Sequence, residues 1–373
     1  MSDHTSDHSE QAAEITTKLA DLRAVMARRR IGLLRLETVP SCAWITAGAR
    51  TDIDESTDKA AFAIAITPDR AYVLTDTIET PRLRDEEHLD TLGFELVTEP
   101  WYHRGDFGVS LAANTMVGQD GPGAGVDLSR DIQLLRMRLR SGEIARMRQV
   151  CAEASEAMAA AMRALRPGMT EFEAAGLLAG EGRARGGEPI VVLVGSDERI
   201  FQFRHATPTS KPIERYAMLA LCLRRAGLVA ALTRSVHFGA LPDDLRAKAL
   251  ATARVDVRMT RGSQPGKTIG DMFALARAAY AAEGHPDAIE QHHQGGTIGY
   301  RSREIIATPD DDTPLVAGMA CAWNPSIRGT KSEDTILLTT DSQEVLTTMA
   351  GWPMWRVDVG GETFERPAVW EAV

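Results

Sequence analysis

RPGMTEFE, residues 166–173, and QPGKTIGD, residues 264–271, carry the same punctuation twice. In each, a Pro-Gly pair stops a helical run, and a threonine then stands three positions before an acidic residue. In that spacing hydroxyl and carboxylate cap the start of a helix reciprocally. The stretch before the first copy, EIARMRQVCAEASEAMAAAMRA, is apolar at helical period, as are FEAAGLLAGEGRA and MFALARAAYAA after the two copies. Gly168 and Gly266 lie 98 residues apart. The chain therefore reads as two half-domains of one plan, each a helix, a turn, a helix and then strands. VVLVGS, MLALCLR, LVAALTRSVHF, ACAWNPSI and DTILLTT supply the strands. A duplicated α+β body of this kind places a cavity between its sheets or at its midline, where both halves contribute side chains.

Ahead of that body the pattern differs. KLADLRAVMARRR is helical in period, while IGLLRLE, AFAIAIT and AYVLTDT have strand length and branched content, with TPDR as the turn between the last two. The expected organisation is a loose polar tail over residues 1–15, a smaller α/β domain over 16–139 and the α+β body over 140–373. The cluster GQDGPGAGVD, residues 118–127, reads as a loop, because it lacks the lysine and serine of a phosphate-cradling loop and the dinucleotide fingerprint.

Bulk properties narrow the function. With 373 residues, 44% of them hydrophobic, the chain can bury a large core, and a net charge of -10 argues against a general nucleic-acid or anionic-membrane surface. No apolar run approaches the roughly 18 to 20 residues of a membrane span, and MSDHTSDHSEQAAE has neither the basic head nor the apolar centre of a secretory signal. A cytoplasmic protein acting on small molecules or protein partners is the expectation. Cys42, Cys151, Cys222 and Cys321 are scattered with no CxxC spacing, which disfavours a zinc knot.

Polar residues gather where strands end: Arg204, His205, Arg234, His237, His292, His293, Glu304, Asn324, Glu333 and Asp334. His205 can exchange a proton near neutral pH, Arg204 and Arg234 can grip a carboxylate, and Glu333 can orient a histidine or bind a cationic group. HHQGG, residues 292–296, has the look of a metal site. Two hydrolytic metal ions, however, need several converging carboxylates, and MLALCLRRAGLVAALTRSVHF contains no Asp or Glu.

RHATPTSKPI, LCLRRAGLVAALTRSVHFG, HHQGGTIGYRSRE, GMACAWNPSI and KSEDTILLTT, in this order, resemble the pita-bread domain of the M24 peptidase and creatinase family. The preceding part is similar to the smaller creatinase-type amino-terminal domain. The resemblance implies a homodimer and five metal-ligand positions, which fall here on Ala220, Ala231, Gly296, Asn324 and Glu333. Only Glu333 keeps a ligand carboxylate, so no metal and no cofactor are expected. Creatinase, which hydrolyses without metal, resembles this chain at His205 and Glu333. On that likeness the catalytic residues are His205 and Glu333, and the substrate-binding residues are Arg204, Arg234, His292 and Asn324. His205 would move a proton, Glu333 would fix a cationic substrate group or the catalytic geometry, and His292 would donate to a developing oxyanion. The implied activity is metal-independent hydrolysis of a small C–N-containing, carboxylate-bearing substrate. The alternative is a non-catalytic ligand-binding or protein-interaction member of the fold.

Overall fold

A computed structural model describes residues 3–103 and 115–372. The chain divides into two compact units, 1–144 with 226–228, and 145–225 with 229–373. None of the helices in the described residues is long and apolar enough to cross a membrane.

The first unit begins with α1 (Asp3–Arg29). The loose tail expected through residue 15 is thus helical from Asp3. Glu10 to Glu14 are mostly good helix formers, and Ile15, Leu19, Leu22 and Met26 extend one buried stripe that anchors the helix. The sheet of this unit has the order β4-β3-β2-β1-β5-β6. Its strands are β1 (Leu33–Thr38), β2 (Lys59–Ile66), β3 (Ala71–Asp76), β4 (Glu95–Glu99), β5 (Val117–Gln119) and β6 (Val126–Asp127). The meander β1-β2-β3 is antiparallel, and β4, β5 and β6 add in parallel. Helices α2 (Val39–Ile45), α3 (Thr80–Asp85) and α4 (Ser129–Arg136) complete it. Lys18 is fully buried against Glu14 at 2.7 Å and Glu143 at 3.0 Å, so its charge is matched where burial would otherwise strip its proton.

The second unit builds on α5 (Ser141–Ala164), α6 (Glu171–Ala184), α8 (Asp243–Gly262) and α9 (Ile269–Ala282), with short α7 (Glu198–Gln202) and α10 (Ala288–Gln291). Both expected capping boxes form, Thr170 with Glu173 ahead of α6 and Thr268 with Asp271 ahead of α9. Gly168 and Gly266 adopt φ of 90° and 92°, a left-handed backbone that glycine takes without strain. The repeat extends to tertiary pairing: Thr170 bridges Pro212 and Thr268 bridges Pro314, each antiparallel.

Two antiparallel-dominated sheets follow. One, ordered β19-β9-β8-β7, comprises β7 (Glu188–Ser196), β8 (Tyr216–Arg225), β9 (Leu228–Phe238) and β19 (Trp370–Ala372), the last parallel to β9. The other, ordered β11-β10-β12-β15-β16, comprises β10 (Gly295–Ile298), β11 (Ile305–Ile306), β12 (Ala320–Trp323), β15 (Asp334–Leu338) and β16 (Gln343–Val345). The pairs β13 (Ser326–Ile327) with β14 (Thr330–Lys331), and β17 (Met354–Val359) with β18 (Glu362–Pro367), are small hairpins. The two larger sheets meet at the bridge between Thr233 on β9 and Glu333 just before β15. The chemistry collects around that junction.

Candidate functional site

His205 lies on the connection between α7 and β8, and a buried acid secures that connection at both ends. Glu171 is fully buried and accepts from Ser196 N–H at 2.8 Å, Ser196 Oγ at 2.8 Å, Thr209 N–H at 3.0 Å and Thr209 Oγ1 at 2.7 Å. Arg199 balances its charge at 3.1 Å. Asp197 gathers the backbone N–H groups of Glu214, Arg215 and Tyr216 at 2.9 Å each. The segment carrying His205 is thereby closed like a staple, and Pro208 and Pro212 keep its far limb extended.

His205 Nε2 lies 3.0 Å from His292 Nε2. The tautomers follow from the neighbours. His292 Nδ1 faces the backbone carbonyl of His293, which can only accept, so Nδ1 carries the hydrogen and Nε2 is left as an acceptor. His205 must then donate from Nε2, and its Nδ1 lone pair is free. No hydrogen-bond partner meets that nitrogen among the described residues. Burial first, and the positive charge of Lys331 second, hold the His205 imidazole below its usual range. The same two causes push His292 down to about 3. His293 is lowered to about 4, by burial and then by Arg303. Stacking places the His292 and His293 rings 4.4 Å apart. His293 Nδ1 accepts from Gly295 N–H at 3.2 Å, which assigns its hydrogen to Nε2.

Glu333 is bracketed. Its Oε2 accepts from Thr233 Oγ1 at 2.6 Å and from Lys331 Nζ at 2.7 Å, and its Oε1 from Arg303 Nη2 at 2.7 Å. Burial alone would raise its pKa, but Lys331 and Arg303 hold the carboxyl far below the usual range. Three donors thus occupy most of its lone-pair directions, and the ion pairs with Lys331 and Arg303 tie Glu333 to the geometry of the site. Neither Lys331 nor Arg303 was singled out in the sequence. The signal was there for Lys331, which stands two residues from Glu333 in an extended run and so faces the same way.

Other candidates fall elsewhere. Arg234 is 3% exposed and donates to Asp334 at 2.7 Å and to the carbonyls of Thr233, Glu333 and Thr347. It is a structural strut, with its fork turned to protein acceptors rather than to a substrate carboxylate. The expected oxyanion-donor role of His292 also fails, because its only N–H is spent on a carbonyl; it serves instead as the acceptor that orients His205. Arg204 is half-buried and donates to Gln291 at 2.6 Å. Asn324 is buried, with its side-chain oxygen lacking a partner among the described residues. His237 meets the Gly239 carbonyl at 3.0 Å, and Glu304 caps a turn by accepting from Tyr300 N–H at 3.1 Å.

Histidines 205, 292 and 293 each bring a ring nitrogen within 4.8 Å of the others. In the hydrogen-bonded arrangement His293 Nε2 carries hydrogen, and Lys331 and Arg303 place positive charge beside the rings. At Gly296 there is no room for a larger residue, because a Cβ would lie 1.8 Å from the Ile305 carbonyl oxygen across the β10–β11 pair.

The profile of metallopeptidase family M24 matches residues 145–340. The fold is similar to that of the prolidase from Pyrococcus horikoshii OT3, with a TM-score of 0.76 and 18% identity over 89% of this chain and 98% of that one. It is similar also to the Xaa-Pro dipeptidase from Bacillus anthracis, with a TM-score of 0.72 and 21% identity over 90% and 98%. A third likeness is to the N-terminal domain of the FACT complex subunit SPT16 from chickpea, Cicer arietinum, at a TM-score of 0.65 and 12% identity over 91% and 97%. No curated protein matches the chain at the level of sequence. The family match covers more than half of the residues and contains β7 to β15, with His205 and Glu333 among them, so the chain belongs to metallopeptidase family M24.

Proposed function

We propose that this M24 member is a metal-independent hydrolase of a small C–N-containing, carboxylate-bearing substrate. The observation that carries the reading is the His205–His292 pair, which leaves one unpartnered imidazole lone pair beside a carboxylate already neutralised by side-chain cations. The residues present do not fit two divalent ions. Ala220 and Ala231 offer no donor, Gly296 admits no side chain, Asn324 is neutral, and Glu333 would have to exchange two ion pairs for metal bonds.

In the proposed reaction His205 Nδ1 removes a proton from water as its oxygen bonds to the carbon of the scissile C–N bond. The C–N bond then breaks, and the proton passes to the leaving nitrogen. His292 accepts from His205 Nε2–H throughout and strengthens that bond as His205 becomes cationic. Glu333 holds Arg303 and Lys331 in place, Arg204 meets the substrate carboxylate, and Asn324 Oδ1 accepts from a substrate N–H. A cytoplasmic homodimer completes the proposal, and mass in solution tests its stoichiometry.

The second reading, a non-catalytic ligand-binding or interaction member, is favoured by one feature. His205 is oriented by a neutral imidazole rather than a carboxylate, which weakens it as a base. The deciding experiment chelates the protein exhaustively, measures its metal content and screens small amides, amidines and N-substituted amino acids against the native chain, His205→Ala and Glu333→Ala. Turnover that survives chelation and drops about 10²- to 10⁴-fold in kcat for His205→Ala is the expected result. Restored peptidase activity with two bound ions per chain, or a fully active His205→Ala protein, overturns the mechanism. Ligands that bind but never react establish the second reading.

A further inference from the structure

A cavity of about 210 Å³ lies between the end of α8, the edge strand β16 and β18, and its lining includes none of His205, His292, His293 or Glu333. That exceeds the roughly 150 Å³ that accepts a benzene ring in an apolar protein interior. Alternation along the strands decides which side chains face it. In the β17–β18 hairpin Val357 pairs with Phe364 and Trp355 with Arg366, and Phe364 packs on Ala253, Val257 and Val357. Phe364 and Arg366 therefore face α8, while Glu365 between them turns to the other face with Arg356 opposite it. On β16, Glu344 points off to Arg148, which leaves Gln343 and Val345 on the cavity side. Gln343 is committed there, since its Nε2 donates to the Ser263 carbonyl at 2.9 Å. Val257, Val345 and Phe364 form the apolar walls.

Two guanidinium groups complete the lining. Arg366 is 5% exposed and makes all of its bonds with Nη2, to Asp256, Ser332 and Asp334. Its Nε is buried without a partner, and its Nη1 meets none among the described residues. A desolvated donor left unpaired costs stability that an incoming acceptor would recover. The charge of Arg366 is already balanced, because Arg234 and Arg366 together face Asp256 and Asp334. What it lacks is an acceptor. Arg261 supplies the unmatched charge: it is exposed in the last turn of α8, lies over the Phe364 ring at 5.6 Å, and has no acidic partner among the described residues. Apolar walls, an unpaired donor at the buried end and a guanidinium without a carboxylate at the exposed end are complementary to a ring that carries a carboxylate.

We propose that this cavity binds a single-ring aromatic carboxylate, with the ring between Val257, Val345 and Phe364 and the carboxylate accepting from Arg366 and Arg261. The volume limits the apolar part to one ring, and Arg261 excludes an ammonium in its place. The site goes beyond the hydrolytic reading and needs neither turnover nor metal independence. Arg366 also holds Asp334 at 2.7 Å, so an occupant touches the buried ion pairs rather than the reacting groups.

The test titrates the full chain calorimetrically with benzoate, benzamide and benzylammonium, and reads the melting shift with each. One benzoate should bind per chain, about tenfold more tightly than benzamide, and benzylammonium should not bind. Arg261→Gln, a substitution at an exposed position, should weaken benzoate about tenfold. Val345→Phe keeps every charge but fills the space, so it should abolish binding. Arg366 is left intact, because its removal would strip Asp256 and Asp334 of a partner. Arg204→Gln and His205→Ala separate this cavity from the proposed substrate cleft, and both should bind benzoate as the native chain does. Absence of saturable benzoate binding, equal affinity for benzoate and benzamide, or full affinity in folded Val345→Phe overturns the proposal. So does loss of benzoate in Arg204→Gln with full affinity in Arg261→Gln, which puts the acid in the substrate cleft. Benzoate that binds as expected while no amide is ever hydrolysed leaves this site standing and counts against the hydrolase reading alone.

Discussion

At the scale of single residues, the behaviour of the site turns on histidines whose proton affinity is lowered by burial and by neighbouring cations. For His205 this keeps the base form populated at neutral pH. The acid limb of kcat/KM should accordingly fall below the ordinary imidazole pKa of roughly 6.5, with activity lost as pH drops through it. His292 gives a separate stability prediction. Its folded pKa of about 3 lies below its unfolded value, so between the two the unfolded chain binds the proton and the folded chain does not. The stability that neutral His292 contributes is complete above about pH 6.5 and fades as pH falls toward 3. Urea midpoints of the native protein should therefore drop between pH 7 and pH 4.5, and in His292→Gln that drop should be shallower. An unchanged slope in the variant would show that the acid sensitivity arises elsewhere.

At the scale of elements, the helical repeat and the β10–β11 pair make opposite demands on side chains. The helices are set by local rules: each threonine hydroxyl accepts from the N–H three residues on, at 3.1 Å for Thr170 and 3.0 Å for Thr268. The strands β10 and β11 are set by closeness, with Gly296 opposite Ile306 in the register. A methyl group at 296 would collide with backbone rather than with a yielding side chain. Gly296→Ala should destabilise the protein by about 1 to 3 kcal/mol in chemical denaturation, and Gly296→His by more, without creating a metal ligand. A histidine at 296 is thus opposed by the strand pairing itself.

At the scale of the whole second unit, a buried ionic lattice fixes the strand that presents Glu333. Asp334 accepts from Arg234 at 2.7 Å and Thr347 at 2.6 Å on one oxygen and from Arg366 at 2.7 Å on the other. Arg366 reaches on to Asp256, which also takes the Ser332 hydroxyl. All four charged groups are almost fully buried. Asp334→Asn would leave Arg234 with no carboxylate in a medium of low dielectric, and a loss of about 3 to 5 kcal/mol in unfolding free energy is expected. Because Glu333 is the neighbouring residue, any turnover found for the native chain should fall in the same variant. A drop in stability with turnover intact would separate the lattice from the site.

What the sequence determined is what neighbours along the chain decide. The Pro-Gly pairs, the capping threonines and the apolar periods place α5, α6, α9 and most strands, because helix termination and amphipathic burial depend on residues a few positions apart. The same reading singled out His205, His292 and His293, whose rings the structure brings together, and Glu333. Only the tertiary structure decided what each charge does. Arg234 looked like a free grip for a carboxylate until Asp334, 100 positions later, was seen to hold it. His292 looked like a donor until the His293 carbonyl fixed its tautomer and His205, 87 positions away, took its lone pair. Lys331 and Arg303 acquire their role only by meeting at Glu333, from separate elements. A side chain's charge is legible in sequence, but its availability depends on which groups desolvate and neutralise it, and those arrive through long-range packing.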